Sequence, residues 1–266
     1  MTVDNLHREL APISNAAWQS IEEEATRTFA RHVSCRRVVD VNGPKGTASA
    51  SVTTGHEHRI DPPAEGVQAF LREAQPLAEL RVPFKVARQE IDNVERGAED
   101  SDWSPVMDAA KRLAFTEDRL VVDGYDPAGI TGIRRDSSNE AIALPERVTE
   151  YPNAVAQAVS RLRLDGVGGP YTLLLSAEAY TAVSETTDEG NPILDHVKRM
   201  TKGEILWAPA ISGALLLSAR GGDFALTLGQ EVSIGYLSHD SENVELYFTE
   251  TLTFQSFTSE ASVSFR

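Results

Sequence analysis

Two histidines in a polar stretch are the residues whose type and spacing come closest to metal chemistry. His56 and His58 stand two residues apart in the sequence HEH, and side chains with this spacing share one face of a strand. With no third ligand nearby, we expect no metal site. The nucleophile motif GxSxG is absent, and no cluster of carboxylates or histidines has the spacing of a catalytic site. The sequence therefore predicts no catalytic residues and no enzyme.

The glycine-rich stretch SARGGDFALTLGQEVSIGY raises the possibility of a phosphate-binding loop. Gly221, Gly222 and Gly229 match neither G-x-G-x-x-G nor the spacing that ends in Lys-Ser or Lys-Thr. Apolar and small residues alternate on both sides of Gly229, which is typical of strands rather than of a helix that follows a phosphate loop. The stretch predicts a strand, a turn and a second strand, with the glycines marking the turns of a hairpin.

Composition excludes several classes of function. The 266 residues carry a formal net charge of −15, which argues against a protein that binds nucleic acid through a broad basic face. The N-terminus lacks the apolar segment of a signal peptide, and no apolar run reaches the length of a membrane span. The single cysteine, Cys35, excludes an internal disulfide framework and is interpreted as structural. We expect a cytoplasmic protein without nucleic-acid or membrane partners.

Two amphipathic helices are predicted in the first half of the chain. Residues 14–33 place apolar side chains three and four residues apart, with Ser14 as the N-cap. A short strand, RRVVDV, follows. Residues 101–123 form the strongest helix pattern, capped by Asp102 or Ser101 and ended by Gly124, and Glu117 interrupts its apolar stripe. At 1.5 Å per residue this helix is a rod of roughly 30 Å.

Residues 43–66 are small, polar and bounded by glycine and proline, so they cannot bury enough apolar surface to fold alone. Either an extended arm that pairs outside its own domain or plain disorder explains this composition.

From about residue 126 to 220 helices and strands alternate, and after Phe224 the chain is all strand. The pattern predicts an α+β protein whose N- and C-terminal segments share one sheet around a central α/β insertion.

Several segments, read in order, resemble one known family. They are LAPISNAAW, VERG, DGYDPAGITGI, RDSSN, GPYTLLLS, RGGDFALTLGQEVSIGY and FTETLTFQ. This series is similar to the encapsulins, bacterial nanocompartment shell proteins also labelled linocin-type bacteriocins, and to the mycobacterial-type members in particular. The resemblance implies the fold of tailed-phage major capsid proteins. It assigns residues 1–125 and 223–266 to a peripheral domain, 43–66 to its extended loop, 101–123 to its spine helix and 126–222 to an axial domain.

The resemblance also implies a function. Encapsulins self-assemble into a closed icosahedral shell, here of about sixty copies of one chain. The shell encloses a dye-decolorising peroxidase or a ferritin-like protein that carries a C-terminal targeting peptide, with roles in oxidative stress or iron storage. Some members bind flavin beside an aromatic residue, but Gln89 stands at that place in this sequence, which argues against a flavin cofactor. The alternative is the older interpretation of the family as a secreted or cytoplasmic bacteriocin or protease-like protein.

Two sets of site residues follow from the resemblance. The targeting peptide is expected to dock between the N-terminal helix and the sheet, at Phe29, Val33, Ile234 and Tyr236, with Arg36 and Asp40 framing the groove. The acidic loop SETTDEGN is expected to line a pore on the fivefold axis, where Glu185, Asp188, Glu189 and Asn191 would form a negative collar that favours cations.

Overall fold

The computed structural model describes residues 5–188 and 190–266, and it contains both helices and sheets. Its α-helices are α1 (Asn15–His32), α2 (Arg88–Glu95), α3 (Ser104–Asp123), α4 (Ile133–Asp136), α5 (Tyr151–Leu164), α6 (Ala177–Glu185) and α7 (Ile193–Thr201). Its strands are β1 (Asp40–Asn42), β2 (Ser51–Ile60), β3 (Ala69–Pro76), β4 (Ala78–Ala87), β5 (Gly124–Tyr125), β6 (Ile130–Thr131), β7 (Tyr171–Leu175), β8 (Thr187–Asp188), β9 (Asn191–Pro192), β10 (Lys202–Trp207), β11 (Ala214–Ser218), β12 (Phe224–Leu228), β13 (Ser233–His239), β14 (Asn243–Ser256) and β15 (Ser262–Phe265). Within the described residues, no helix combines the length and apolar character that a membrane span requires.

The first sheet is built around the long strand β14. On one side β14 pairs antiparallel with β4 over ten residues, and on the other side it pairs with β12 and β13. β1 adds to the outer edge of β12 in parallel. Alternate residues of β4, including Val82, Phe84 and Val86, are buried, as the period of a strand requires. Helices α1 and α3 cover this face and form one apolar core with it.

The hairpin predicted across Gly229 is wrong. β12 and β13 do not pair with each other but follow one another along the same side of β14. The intervening chain stays attached to β14, because the Gly229 amide donates to the Thr251 carbonyl and the Thr251 amide donates to the Gln230 carbonyl. Residues 229–232 therefore interrupt one long edge rather than reverse the chain.

The second sheet has the order β10-β7-β11-β15 and lies among helices α5, α6 and α7. Every residue of β7 and β11 is buried, as expected for the apolar runs YTLLL and ALLLS. Gly221 and Gly222, with φ of 79° and 80°, turn the chain from β11 of this sheet towards β12 of the first sheet.

The end of the chain departs from the expectation that residues 223–266 all return to the first sheet. β15 pairs antiparallel with β11 and so belongs to the second sheet. Its four residues are all buried, and Phe265 is 1% exposed within the second core. The apolar, alternating pattern predicted a strand here correctly, but a period of two does not identify the partner strand.

The two predicted helices are confirmed with small changes at their ends. Ser14 caps α1 by accepting a hydrogen bond from the Ala17 amide, and α3 ends before Gly124. α3 begins at Ser104, whose amide donates to the Asp102 carboxylate at 2.9 Å.

The segment RRVVDV differs from the predicted strand, since Cys35–Arg37 is a 3-10 helix and only Asp40–Asn42 pairs. α3 joins both cores, with residues 106–114 in the first and 120–122 in the second.

The polar arm is a two-stranded hairpin of β2 and β3, and it reaches beyond the predicted 43–66 to Pro76. Almost every residue along it is exposed. Its apolar side chains are exposed too, with Phe70 at 50% and Leu71 at 52%. Backbone hydrogen bonds from Lys45 and Gly46 to β12 and its following loop hold the base of the arm. The arm is ordered without an internal core of its own.

Two glycines allow the chain to cross itself directly after α3. Gly124 adopts φ of 87° and pairs with Thr131 beside Gly132. A Cβ at Gly132 would clash with the backbone of Asp123 and Gly124, which cannot move without shifting the end of α3.

We therefore expect Gly132→Ala to lower the free energy of unfolding by about 1–3 kcal/mol through overpacking. Gly168→Ala is the matched control, because a Cβ there meets no atom within 4 Å and the change should alter stability by less than about 1 kcal/mol. Chemical denaturation measures both, and equal effects of the two substitutions would contradict the role of the crossing.

Candidate functional site

A groove of about 560 Å³ lies between helix α1, the edge of the first sheet and the N-terminal segment. Among the predicted docking residues, Phe29, Arg36 and Ile234 line it. Phe29 and Ile234 are buried, at 8% and 4% exposure, so each presents one side to the groove while packing in the first core. The volume is within the range of about 300–1,000 Å³ that ligand sites occupy.

Val33 and Tyr236 lie beside the groove rather than in its lining. Both are half-buried and pack against the first core. The Tyr236 hydroxyl and His239 Nδ1 are 2.6 Å apart, which directs the phenol along β13. The structure therefore places both residues on the same core as the groove-lining Phe29 and Ile234.

Asp40 does not frame the groove. It lies on β1, at the outer edge of β12, and is not among the lining residues. Its carboxylate accepts a hydrogen bond of 2.6 Å from the Gly222 amide. A short side chain so engaged stabilises the turn into β12, and of the two residues expected to frame the groove only Arg36 is among those that line it.

Sequence patterns missed the N-terminal wall of the groove. Leu6 and Arg8 line it, and the Tyr236 amide donates to the Leu6 carbonyl at 2.8 Å. The Arg8 guanidinium contacts the Glu22 carboxylate at 2.5 Å and lies 4.1 Å from the Trp18 ring centroid. No periodicity in this short segment indicated that it crosses α1 to reach β13.

A cluster of charges lies directly behind the groove. The Arg36 guanidinium donates to Glu117 through Nε and Nη2, both at 2.8 Å, to Glu250 through Nη2 at 2.5 Å and to Glu231 through Nη1 at 2.7 Å. The side chains of Glu117 and Glu250 are fully buried, whereas Glu231 is 46% exposed. The guanidinium also lies 4.9 Å from the centroid of the Phe29 ring. We call these four residues, Arg36, Glu117, Glu231 and Glu250, the Arg36 cluster.

Burial shifts the ionisation of this cluster. Loss of solvent raises the pKa of Glu250 well above its usual range; the neighbouring Glu117 carboxylate raises it further, and Arg36 opposes the shift. Burial also raises the pKa of Glu117, against the hydrogen bonds from Arg36. The interruption of an apolar helical stripe by Glu117 was the one sequence signal of this buried site.

A third buried carboxylate holds the 3-10 helix that carries Arg36. Asp118, fully buried on α3, accepts hydrogen bonds from the amides of Ser34 and Cys35 and from the Ser34 hydroxyl, which lies at 2.6 Å. Cys35 is itself buried, and burial raises the pKa of its thiol, with Asp118 adding to the effect. This agrees with the structural interpretation of the lone cysteine, because a protonated buried thiol is a poor nucleophile.

The charges at the groove do not balance. Four carboxyl groups face two guanidinium groups, so the formal charge is negative even with each arginine paired: Glu22, Glu117, Glu231 and Glu250 against Arg8 and Arg36. The partly exposed Glu231 carries this excess to the groove surface. The arrangement favours a cationic ligand over an anionic one.

The predicted pore residues lie on an exposed tip formed by β8 and β9. Asp188 pairs with Asn191, Glu185 ends α6, and all three are exposed. Glu189 lies outside the described residues. The negative collar stays a prediction.

The remaining candidates are the histidine pair of the arm and Gln89. In the described part of the chain, no group of three histidine, cysteine, aspartate or glutamate residues could hold a metal ion. His58 instead contacts the Glu73 carboxylate at 3.1 Å across the arm hairpin. Gln89 is exposed on α2, and the expected lack of flavin stays a prediction.

The two neighbouring arginines provide a test of the cluster. Arg36→Ala leaves Glu117 and Glu250 buried without a cation and should cost about 3–5 kcal/mol of unfolding free energy. Arg37→Ala removes an exposed pair with Glu204, in which both side chains are more than half exposed, and should cost less than about 1 kcal/mol. Denaturant titration of both variants measures the difference, and similar losses would show that the cluster is not a structural constraint.

Known proteins match the chain along nearly its whole length. Residues 3–253 match the family described as "Encapsulating protein for peroxidase". The type 1 encapsulin shell protein of Rhodococcus erythropolis is 60% identical over 98% of both chains. That of Mycobacterium tuberculosis is 56% identical over 98% of this chain and 99% of its own. These relatives are structural shell proteins, which confirms the prediction that the chain is not an enzyme.

Solved structures agree with the expected fold. A virus-like particle from Pyrococcus furiosus has a TM-score of 0.65 at 17% identity, and the match covers 92% of this chain and 98% of that one. The capsid of Myoviridae phage XM1 has a TM-score of 0.55 at 11% identity, over 86% and 89% of the two chains. Identities this low show the fold alone, and they confirm an α+β fold like that of phage capsid proteins. With the match over residues 3–253, the chain belongs to the family of encapsulating proteins for peroxidase.

Proposed function

We propose that this chain is the subunit of a closed cytoplasmic shell that encloses a peroxidase or a ferritin-like protein. The observation that carries the proposal is the match over almost the full length to proteins named type 1 encapsulin shell proteins. In this proposal the groove beside α1 holds a C-terminal peptide of the cargo, and the arm joins neighbouring subunits. The alternative of a bacteriocin or protease-like protein finds no support in the names of these relatives.

The composition of the arm supports self-assembly. An isolated two-stranded hairpin is marginally stable in water, yet this one also exposes Ile60, Val67, Phe70 and Leu71 by 41–52%. Apolar side chains gathered on a projecting element are typical of a surface that another chain covers. In a shell of one kind of subunit, that chain is a second copy.

Phe70→Ser should therefore prevent closed shells while leaving the subunit folded, because Phe70 belongs to neither core. Arg72→Ser is the matched control, since Arg72 is exposed on the same face of β3 and its loss removes little apolar area. Electron microscopy and light scattering measure assembly, and circular dichroism measures folding. Shells of normal yield and stability from Phe70→Ser would exclude the arm as an assembly contact.

The groove has three properties that suit an extended cationic peptide. Its floor is apolar, its charge is negative, and one wall is the outer edge of β13, which no strand of the described chain covers. The amides of Ile234 and Tyr236 point to this edge because they are two residues apart, and the Tyr236 amide donates to the Leu6 carbonyl. An incoming backbone can pair beside Ile234, as in other cases of strand addition.

The energies are adequate for such a contact. Each buried apolar anchor contributes roughly 1.5–3 kcal/mol, which is weak for one site. A cargo oligomer that carries several peptides meets many grooves within one shell, and linked binding multiplies modest affinities.

Ala30→Arg should fill the groove and reduce peroxidase loading by at least about tenfold, which corresponds to roughly 1.4 kcal/mol per site. Ala30 is exposed on α1 and lines the groove, so the fold should tolerate the change. Ala16→Arg, exposed on the same helix away from the groove, is the control. The probe is the peroxidase of the source organism, with and without its C-terminal tail, co-expressed with each shell variant.

The readout is the ratio of peroxidase to shell protein in purified particles. Full loading of Ala30→Arg shells, or equal loading of the truncated peroxidase, would refute the placement of the peptide in this groove. Repeating the measurement with a ferritin-like protein distinguishes the two classes of cargo.

A further inference from the structure

We propose that Glu117 and Glu250 share one proton in the folded subunit, and that this proton locks α3 to β14 behind the groove. The lock regulates the groove of the proposed function, and its consequence for peptide binding rests on that function. The proton itself follows from the geometry of the Arg36 cluster alone.

The first argument is the count of buried charges. Arg36 contacts both carboxyl groups through the same nitrogen, Nη2, at 2.8 Å from Glu117 and 2.5 Å from Glu250. Both glutamates have side chains with 0% exposure, and Arg36 also binds Glu231. Among the described residues, Arg36 is the cation that contacts either buried carboxyl group. One positive charge cannot compensate two buried negative charges and a third at the surface.

The second argument is an unsatisfied atom. Oε2 of Glu250 is buried and accepts no hydrogen bond. An ionised carboxylate oxygen in this position would lose its hydration without replacement. A proton on Oε2 converts it into a donor, and the Glu117 carboxylate, held at the same guanidinium nitrogen, is the acceptor beside it. One proton therefore corrects both the excess charge and the missing hydrogen bond.

The described elements packed around Glu117 and Glu250 supply no second cation that could neutralise them. On α3 the nearby Asp118 adds negative charge and already accepts from Ser34 and Cys35. On β4 the residue opposite Glu250 is Leu80, which carries no charge. On the 3-10 helix, Arg37 binds Glu204 instead. In the loop before β13, Glu231 is bound to Arg36 and is itself negative.

The pH dependence has a definite sign. Burial, together with the Glu117 charge, raises the pKa of Glu250 above its value in the unfolded chain. A carboxyl group with a raised pKa stabilises the fold at low pH, and this contribution is lost as pH rises through the folded pKa. Alkaline pH therefore adds a second uncompensated charge behind the groove and makes Glu117 on α3 repel Glu250 on β14.

Infrared spectroscopy of assembled particles in D₂O tests the proton directly. Wild type at neutral pH should show the carbonyl stretch of a protonated carboxyl group, and Glu250→Gln, whose amide can donate in place of the proton, should lose it. Glu231→Gln is the control and should retain it. The proposal is overturned if the band is missing from wild type or persists in Glu250→Gln.

Thermal stability as a function of pH tests the lock. As pH rises above about 5, the melting temperature of wild type should fall more steeply than that of Glu250→Gln, because folded wild type holds a proton that its unfolded chain has released. Glu117→Gln provides a second variant should Glu250→Gln fail to assemble. Parallel curves for wild type and both variants would overturn the lock. Neither measurement uses cargo, so a failed cargo experiment leaves both outcomes interpretable.

Discussion

The first core depends on keeping one partly buried guanidinium group paired. Arg36 follows α1, Glu117 belongs to α3 and Glu250 to β14, so the three meet only when the helices and the sheet are in one register. Removing one partner of a buried ion pair costs several kcal/mol of stability, about 3–5, whereas the intact pair stabilises a fold little more than well-packed apolar residues would. The cluster therefore acts mainly by making other arrangements of α1, α3 and β14 unfavourable. Asp118, which holds the preceding turn, extends the same constraint by one residue along α3.

Local patterns were sufficient for those elements whose signals are local. The Ser14 cap, the stripe of α3 and the apolar runs of β7 and β11 each predicted their structure, because a period and a cap involve only neighbouring residues. Pairing was different. β12 and β13 read as a hairpin, and β15 read as part of the first sheet, since alternation shows that a strand has a buried face but not which strand lies beside it. Resemblance to a family supplied the architecture that periodicity could not.

The groove residues were even harder to predict from local sequence patterns than the strand pairing. Phe29 and Ile234 were predicted through resemblance and do line the groove, whereas Asp40 binds the turn at Gly222. Leu6 and Arg8 could not have been found, because their place depends on a segment crossing a helix. Glu117 was visible in the sequence as a carboxylate in an apolar stripe, but its partners are 81 and 133 residues away. A carboxylate in an apolar stripe predicts a buried ion pair but does not indicate which cation is its partner.

The subunit departs from the usual distribution of polar and apolar side chains at two places. Glu117, Asp118 and Glu250 are fully buried, while Phe70 and Leu71 are half exposed on the arm. In a protein that acts alone this distribution would lower stability and promote aggregation. In a shell subunit the two features have separate tasks. In the proposed shell, the buried charges determine one shape of the subunit, and the apolar arm makes the contacts between copies. Because Arg36 and Glu231 also line the groove, the residues that determine the shape of the subunit also set the charge of the groove.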